Sequence, residues 1–293
     1  MSSRTGALLI HGLGGTQYDL GSMHKQLKLS GIETHSLTLP GHGMTPHALR
    51  EVRAEDWIEA ATRKYRELAQ QYDTLHVIGM CMGALLATIV CAREQHRSGA
   101  LIALAPPVYI DGWSTPWYRT LRYAIYLLPS LASRIRVEES HPYGIKNESV
   151  RNVVKAKFER GESFHYRWVP LSCIREVDRL RRAVRRCVAE VACPVLVVHA
   201  REDELTSLRS AQFIARQAPN ARVEVLENSY HMVCVDNDRA QVARTVLEFV
   251  SHAAQPRGRA DSLASLRRRP AQTSACYCGN ERPRVRTCAG MVG

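Results

Sequence analysis

The chain has 293 residues, 45% hydrophobic and 23% charged, which excludes a wholly disordered, collagen-like or coiled-coil protein and allows a sizeable core. At about 150 residues per domain, the length admits one large or two small domains. Lys and Arg number 40 against 28 Asp and Glu, for a formal net charge of +12, but eight Arg and only two acidic residues fall in 256–293. The rest is mildly basic, which argues against a nucleic-acid partner.

The first ten residues carry one charge and a very short apolar run, without the longer stretch and small-residue cleavage site of a signal peptide. Residues 75–92 are 18 without a formal charge, the lower limit for a membrane-spanning helix. Gly79 and Gly83 surround a thiol within that run, so it reads as a buried strand, a tight turn and a buried helix, with no stable membrane insertion. The nine Cys form no regular framework, which with the N-terminus points to a reducing, cytoplasmic location. Cys276, Cys278 and Cys288 have no His beyond His252 to complete a four-ligand zinc site, and no metal is expected.

In chain order, apolar runs at 7–10, 34–39, 75–80, 101–104, 195–198 and 223–226 read as strands. Segments with helical spacing lie at 18–29, 55–72, 84–94, 207–218 and 236–252. The alternation implies an α/β fold: a doubly wound, mostly parallel sheet with helices on both sides. It breaks at 106–192, where no good strand is evident, helical stretches recur at 118–128, 148–159 and 171–191, and aromatic residues crowd. The expected organisation is a domain over 1–255, with a helical cap inserted at about 107–192, and a disordered Arg-rich tail over 256–293.

Gly79-Met80-Cys81-Met82-Gly83 follows a strand and precedes a helix. A strand running straight into a helix makes a sharp turn and exposes its tip side chain at the carboxyl edge of the sheet. The helix N-terminus there favours a thiolate. His11-Gly12-Leu13-Gly14-Gly15 follows the first strand, and a glycine-rich loop there can turn a backbone N–H toward the tip. Leu13 and Met82 are the candidate oxyanion donors. A dinucleotide loop would need Gly where Gln17 stands, and no Gly-Lys-Ser/Thr loop occurs, so no cofactor is expected. Asp203 follows one strand and His231 the next, giving the order Cys81, Asp203, His231 for nucleophile, acid and base. Glu202 is the alternative acid.

Around these residues the chain resembles the α/β-hydrolase superfamily and, within it, small bacterial carboxylesterases and monoacylglycerol lipases of the serine aminopeptidase S33 type. The resemblance runs from about residue 7 to 251. It is carried by Leu9 to Gly15, by Leu39-Pro40-Gly41-His42-Gly43, by Asp56-Trp57, by Ala105 to Ile110, by Cys193 to Asp203 and by Ser229 to Asp236. It implies the α/β-hydrolase fold with a helical cap, a covalent acyl-enzyme on Cys81 and a structural role for the loop containing His42. Those relatives carry Ser where this chain has Cys81. Dienelactone hydrolases and polyhydroxyalkanoate synthases, from other branches, carry Cys.

A thiol can form an ion pair with His231 before substrate arrives, and its acyl-enzyme is a thioester. The expected activity is hydrolysis of carboxylic esters or thioesters of small to medium acyl groups. An acyltransferase, or a thioesterase acting on an acyl carrier protein or coenzyme A, is the alternative, and a catalytically silent binding protein the third reading. Trp113 and Trp117, in the aromatic first half of the cap, are the candidate substrate-binding residues. Helix 171–191 carries an apolar stripe at Ile174, Val177, Leu180, Val184, Val188 and Val191. Arg175, Arg179, Arg182 and Arg186 repeat on another face, either as a solvated surface or as a docking face for a phosphate-bearing donor.

Overall fold

In the computed structural model, residues 3–253 are described; the Arg-rich tail and its three Cys lie outside them. The elements in order are β1 (Thr5–Ile10), a 3-10 turn (Gln17–Leu20), α1 (Met23–Leu29), β2 (Glu33–Leu37), α2 (Ala54–Ala69), β3 (Thr74–Met80), α3 (Met82–Arg93) and β4 (Leu101–Leu104). The inserted region holds α4 (Arg122–Ile125), α5 (Pro129–Arg134), β5 (Arg136–Glu138), α6 (Glu148–Glu159) and β6 (Trp168–Pro170). Then come α7 (Leu171–Cys187), β7 (Val195–Ala200), α8 (Arg209–Gln217), β8 (Ala221–Leu226) and α9 (Arg239–Ala253).

All six strands of the main sheet pair in parallel, in the order β2-β1-β3-β4-β7-β8. Alternate strand residues enter opposite layers, because successive side chains point to opposite faces. Leu8, Ile10, Val77 and Val197 pack under α2, α3, α7 and α8. Leu9, Ile78, Met80 and Val198 pack under α1 and α9. Both faces are covered, which is why the strands read as continuous apolar runs. From β1 the chain steps outward to β2 and returns on the other side of β1 as β3. This reversal opens a crevice at the carboxyl ends of β1 and β3, where Ile10 and Gly79 are level.

The uncharged run at 75–92 is β3 followed by α3, whose residues from Met82 to Ala92 are all buried. Among the described residues no helix is long and apolar enough to cross a membrane. The expected helix at 18–29 is instead two pieces. Gly21, with φ of 53°, breaks it, and a side chain there would run into the Cys234 carbonyl. The region expected to lack strands contains the short antiparallel pair β5–β6; three exposed residues, Arg136 to Glu138, carry no readable alternation. The helix expected at 118–128 is a 3-10 turn (Trp117–Leu121) and α4, with Pro129 opening α5.

Although α7 lies within the span read as cap, it packs on α3 in the body. Val177, Leu180 and Val184 are in the main core, as the apolar stripe requires. Arg175 pairs with Glu176, and Arg179 with Glu55 and Glu176. Arg181 is buried against Asp178 and the Val108 carbonyl. Arg182, Arg185 and Arg186 are exposed.

A Cβ on Gly83 would collide with the Ile10 carbonyl, whereas one on Gly31 meets nothing within 4 Å. Gly83→Ala is expected to lower unfolding free energy by at least ~2 kcal/mol through overpacking against immovable backbone. Gly31→Ala should cost only about 1 kcal/mol, through its positive φ alone. Urea titration of both variants checks the contrast.

Candidate active site

Cys81 stands between β3 and α3 with φ of 53° and ψ of −120°. A non-glycine residue there carries ~1–3 kcal/mol of backbone strain, held only by its surroundings. Those surroundings are tight: the Cys81 N–H donates to the Leu104 carbonyl at 2.9 Å, and side chains at Gly79 or Gly83 would enter neighbouring backbone. The thiol is partly exposed. A Cβ on Gly12 would lie 3.2 Å from the Cβ of Cys81, so the loop after β1 passes directly beside the thiol. Within the described residues, the Leu13 and Met82 N–H groups have no backbone or side-chain acceptor.

Asp203 and His231 follow β7 and β8 and meet at 2.8 Å, His231 Nδ1 donating to Asp203 Oδ2. The other carboxylate oxygen, Oδ1, accepts from the Leu205 and Thr206 amides, each at 2.9 Å. Burial works against a charged Asp203. The neighbouring His231, His199 and backbone donors outweigh it and keep the carboxyl below its ordinary range. Burial likewise disfavours the His231 imidazolium, but the Asp203 carboxylate and the Cys81 sulfur hold the ring well above its usual value. His231 Nε2 is committed to no other hydrogen-bond partner, which leaves it available to exchange a proton with a group in the crevice. Glu202, the alternative acid, is at the surface and paired with Lys146 at 2.7 Å.

Three buried polar residues at this site have no role assigned from the sequence, although Asp236 closes the stretch Ser229 to Asp236 that carries the resemblance. Glu204 accepts the His231 N–H at 3.1 Å, and burial raises its carboxyl above the ordinary range. Fully buried Asp236 accepts from the Lys146, Asn147, Tyr230 and Asn237 amides at 2.7–2.9 Å. Asp19, in the 3-10 turn, accepts the Gly12 N–H at 3.0 Å. Glu204 and His231 are 27 residues apart, and Asp236 reaches across about 90 residues to Lys146 and Asn147, so sequence spacing does not report these bonds. His42 plays a supporting part: burial pushes it down to about 4, and its neutral Nε2 accepts the Gly14 N–H at 3.0 Å.

Trp113 and Trp117 differ in placement. Trp113 is 61% exposed, donates to the Glu202 carbonyl at 3.0 Å and meets the Tyr230 ring edge-on at 5.6 Å. It therefore borders the loops bearing Asp203 and His231. Trp117 is 87% exposed and its ring meets Tyr118; it is not brought to the Cys81 cluster.

Residues 2–238 match the family described as serine aminopeptidase, S33 (Hydrolase_4). The chain belongs to that family. A thermostable monoacylglycerol lipase from Bacillus sp. strain H-257 is 23% identical over 249 residues, covering 83% of this chain and 89% of the lipase. Among solved structures, a metagenome-derived lipolytic enzyme superposes with a TM-score of 0.72 at 21% identity, over 86% of this chain and 95% of its own. A soluble variant of the Saccharomyces cerevisiae monoglyceride lipase, in complex with a substrate analogue, gives 0.73 at 14% identity, over 87% and 88%. These likenesses establish the α/β-hydrolase fold. In this S33-family chain, the strand-to-helix tip holds Cys81.

Replacing Asp236 by Ala leaves several buried amides without an acceptor, each worth ~1–3 kcal/mol. The expected loss of stability is at least ~3 kcal/mol, read by urea unfolding; a change under ~0.5 kcal/mol would show that water replaces the carboxylate.

Proposed function

We propose that this S33-family chain is a hydrolase of carboxylic esters or thioesters of small to medium acyl groups, working through Cys81, His231 and Asp203. The observation that carries this reading is the buried Asp203–His231 pair with its free Nε2 on the Cys81 side. The monoacylglycerol lipases and lipolytic enzyme it resembles support ester substrates.

In the first half-reaction the Cys81 sulfur attacks the acyl carbonyl carbon while its proton passes to His231 Nε2. The carbonyl oxygen becomes an oxyanion between the Leu13 and Met82 N–H groups. His231 returns the proton to the departing alkoxide or thiolate, leaving a thioester on Cys81. Water then attacks that thioester, giving its proton to His231, and the acid leaves as the Cys81 sulfur takes the proton back. Asp203 keeps the imidazole oriented and balances its charge. Trp113 borders the entrance for the acyl group. On the Arg face of α7, Arg175 and Arg179 are ion-paired within the chain, which leaves Arg182 and Arg186 exposed for a phosphate-bearing donor.

Iodoacetamide is expected to label Cys81 fastest near neutral pH. Burial pushes Cys187 up to about 11 and Cys234 to about 12, and Cys91, Cys173 and Cys193 are buried. His231→Ala should slow that labelling. Cys81→Ala should fold normally and reduce kcat on p-nitrophenyl butyrate at least about a thousandfold. If Cys81→Ser retains hydrolysis of a plain ester, the site is that of an ordinary esterase; if only the Cys form works, and works better on thioesters, thioester exchange is its chemistry. Near-normal turnover by Cys81→Ala would refute the assignment.

A further inference from the structure

One ion pair beneath the proposed oxyanion loop comes from the cap. His165 Nδ1 lies 3.5 Å from Asp19 Oδ1, and its Nε2 lies 3.7 Å from Glu139 Oε1. Asp19 Oδ2 holds the Gly12 N–H, and the next amide along is that of Leu13. The carboxylate fills the space that a side chain at Gly15 would need. The cap residues flanking His165 grip the same loop: Thr16 Oγ1 donates to the Phe164 carbonyl at 2.9 Å, and the Tyr166 N–H donates to the Gly14 carbonyl at 2.7 Å.

The electrostatics give this arrangement a consequence. A Cβ on Gly12 would sit 3.2 Å from both Asp19 Oδ2 and the Cβ of Cys81, so Asp19 lies close to where an oxyanion would form. An uncompensated carboxylate there would oppose that negative charge. The other titratable groups facing the pair are His11 and His42, both kept neutral chiefly by burial, with Cys234 beside Asp19 and Tyr166 next in chain. Among the described residues facing Asp19, His165 supplies the balancing positive charge, with Glu139 on its other nitrogen. Burial disfavours its imidazolium, but Asp19 and Glu139 raise it to about 10.

We propose that His165 is a positioning residue: through Asp19 it fixes and neutralises the support of the Gly12–Leu13 amides, so that the site works only with the cap seated. This rests on the assignment of Leu13 as an oxyanion donor and Cys81 as nucleophile.

The test compares the full chain with His165→Gln and Asp19→Asn/His165→Gln, using p-nitrophenyl butyrate kinetics and iodoacetamide labelling. His165→Gln should lower kcat about 10- to 100-fold with KM changed less than about threefold, while Cys81 labels at close to its normal rate. The double variant should recover at least about tenfold of that loss, since the Asn carbonyl still accepts the Gly12 N–H without charge. It also answers the question should His165→Gln alone fail to fold. Unaltered kcat in His165→Gln, or a double variant no better than the single one, would overturn the proposal while leaving the Cys81 reading intact; loss of preferential Cys81 labelling in the parent chain would overturn both.

The ion pair also links stability to pH. His165 binds its proton more tightly folded than at its ordinary 6.5. The stability lost in His165→Gln should therefore be greatest below about pH 6.5 and shrink as pH rises through about 10.

Discussion

The start of α3 lies against the end of β1, and the candidate site depends on that approach. Gly83 leaves no room for a side chain between itself and the Ile10 and His11 carbonyls, and Gly79 none between itself and the Gly83 backbone. With strand and helix this close, the residue at the turn is forced to a positive φ, and its side chain stands clear at the sheet edge. The same closeness brings the loop after β1 beside the Cys81 Cβ, where the proposed mechanism needs the Leu13 and Met82 amides. The parallel topology does the rest, delivering Asp203 and His231 from the carboxyl ends of β7 and β8.

The inserted region is anchored at each of the loops that matter. Trp113 and Ser114 bond the carbonyls of Glu202 and Glu204 in the loop of Asp203. The Lys146 and Asn147 amides share Asp236 with Tyr230, next to His231. Phe164 and Tyr166 bond the loop of Leu13. Inserted region and candidate site are therefore bonded at three loops, and on the proposed reading a change in the cap alters positioning as well as access.

Much of this was legible in the sequence, for identifiable reasons. Glycines two residues either side of Cys81 report a steric collision that any strand-to-helix turn of this kind must avoid. Fully covered strands announce themselves as unbroken apolar runs, and the proposed acid and base fall just past two of them. The rest was silent because its cause is not local. Asp19 and His165 meet across the chain; neither has a spacing that reports the other. Arg136 to Glu138 form a strand only because Trp168 to Pro170 lie alongside. Trp117 satisfied a compositional expectation about aromatic caps, but composition does not say which way a ring points.

In the proposed mechanism Cys81 becomes acylated during turnover. Rapid acid quenching of the 293-residue chain with an excess of p-nitrophenyl butyrate, followed by intact-mass and peptide mapping, tests it directly. A single butyryl group is expected on the peptide bearing Cys81, decaying with time in water and absent from His231→Ala. Turnover without any such adduct, even when quenched within the first turnover, or an adduct on another residue, would contradict that mechanism.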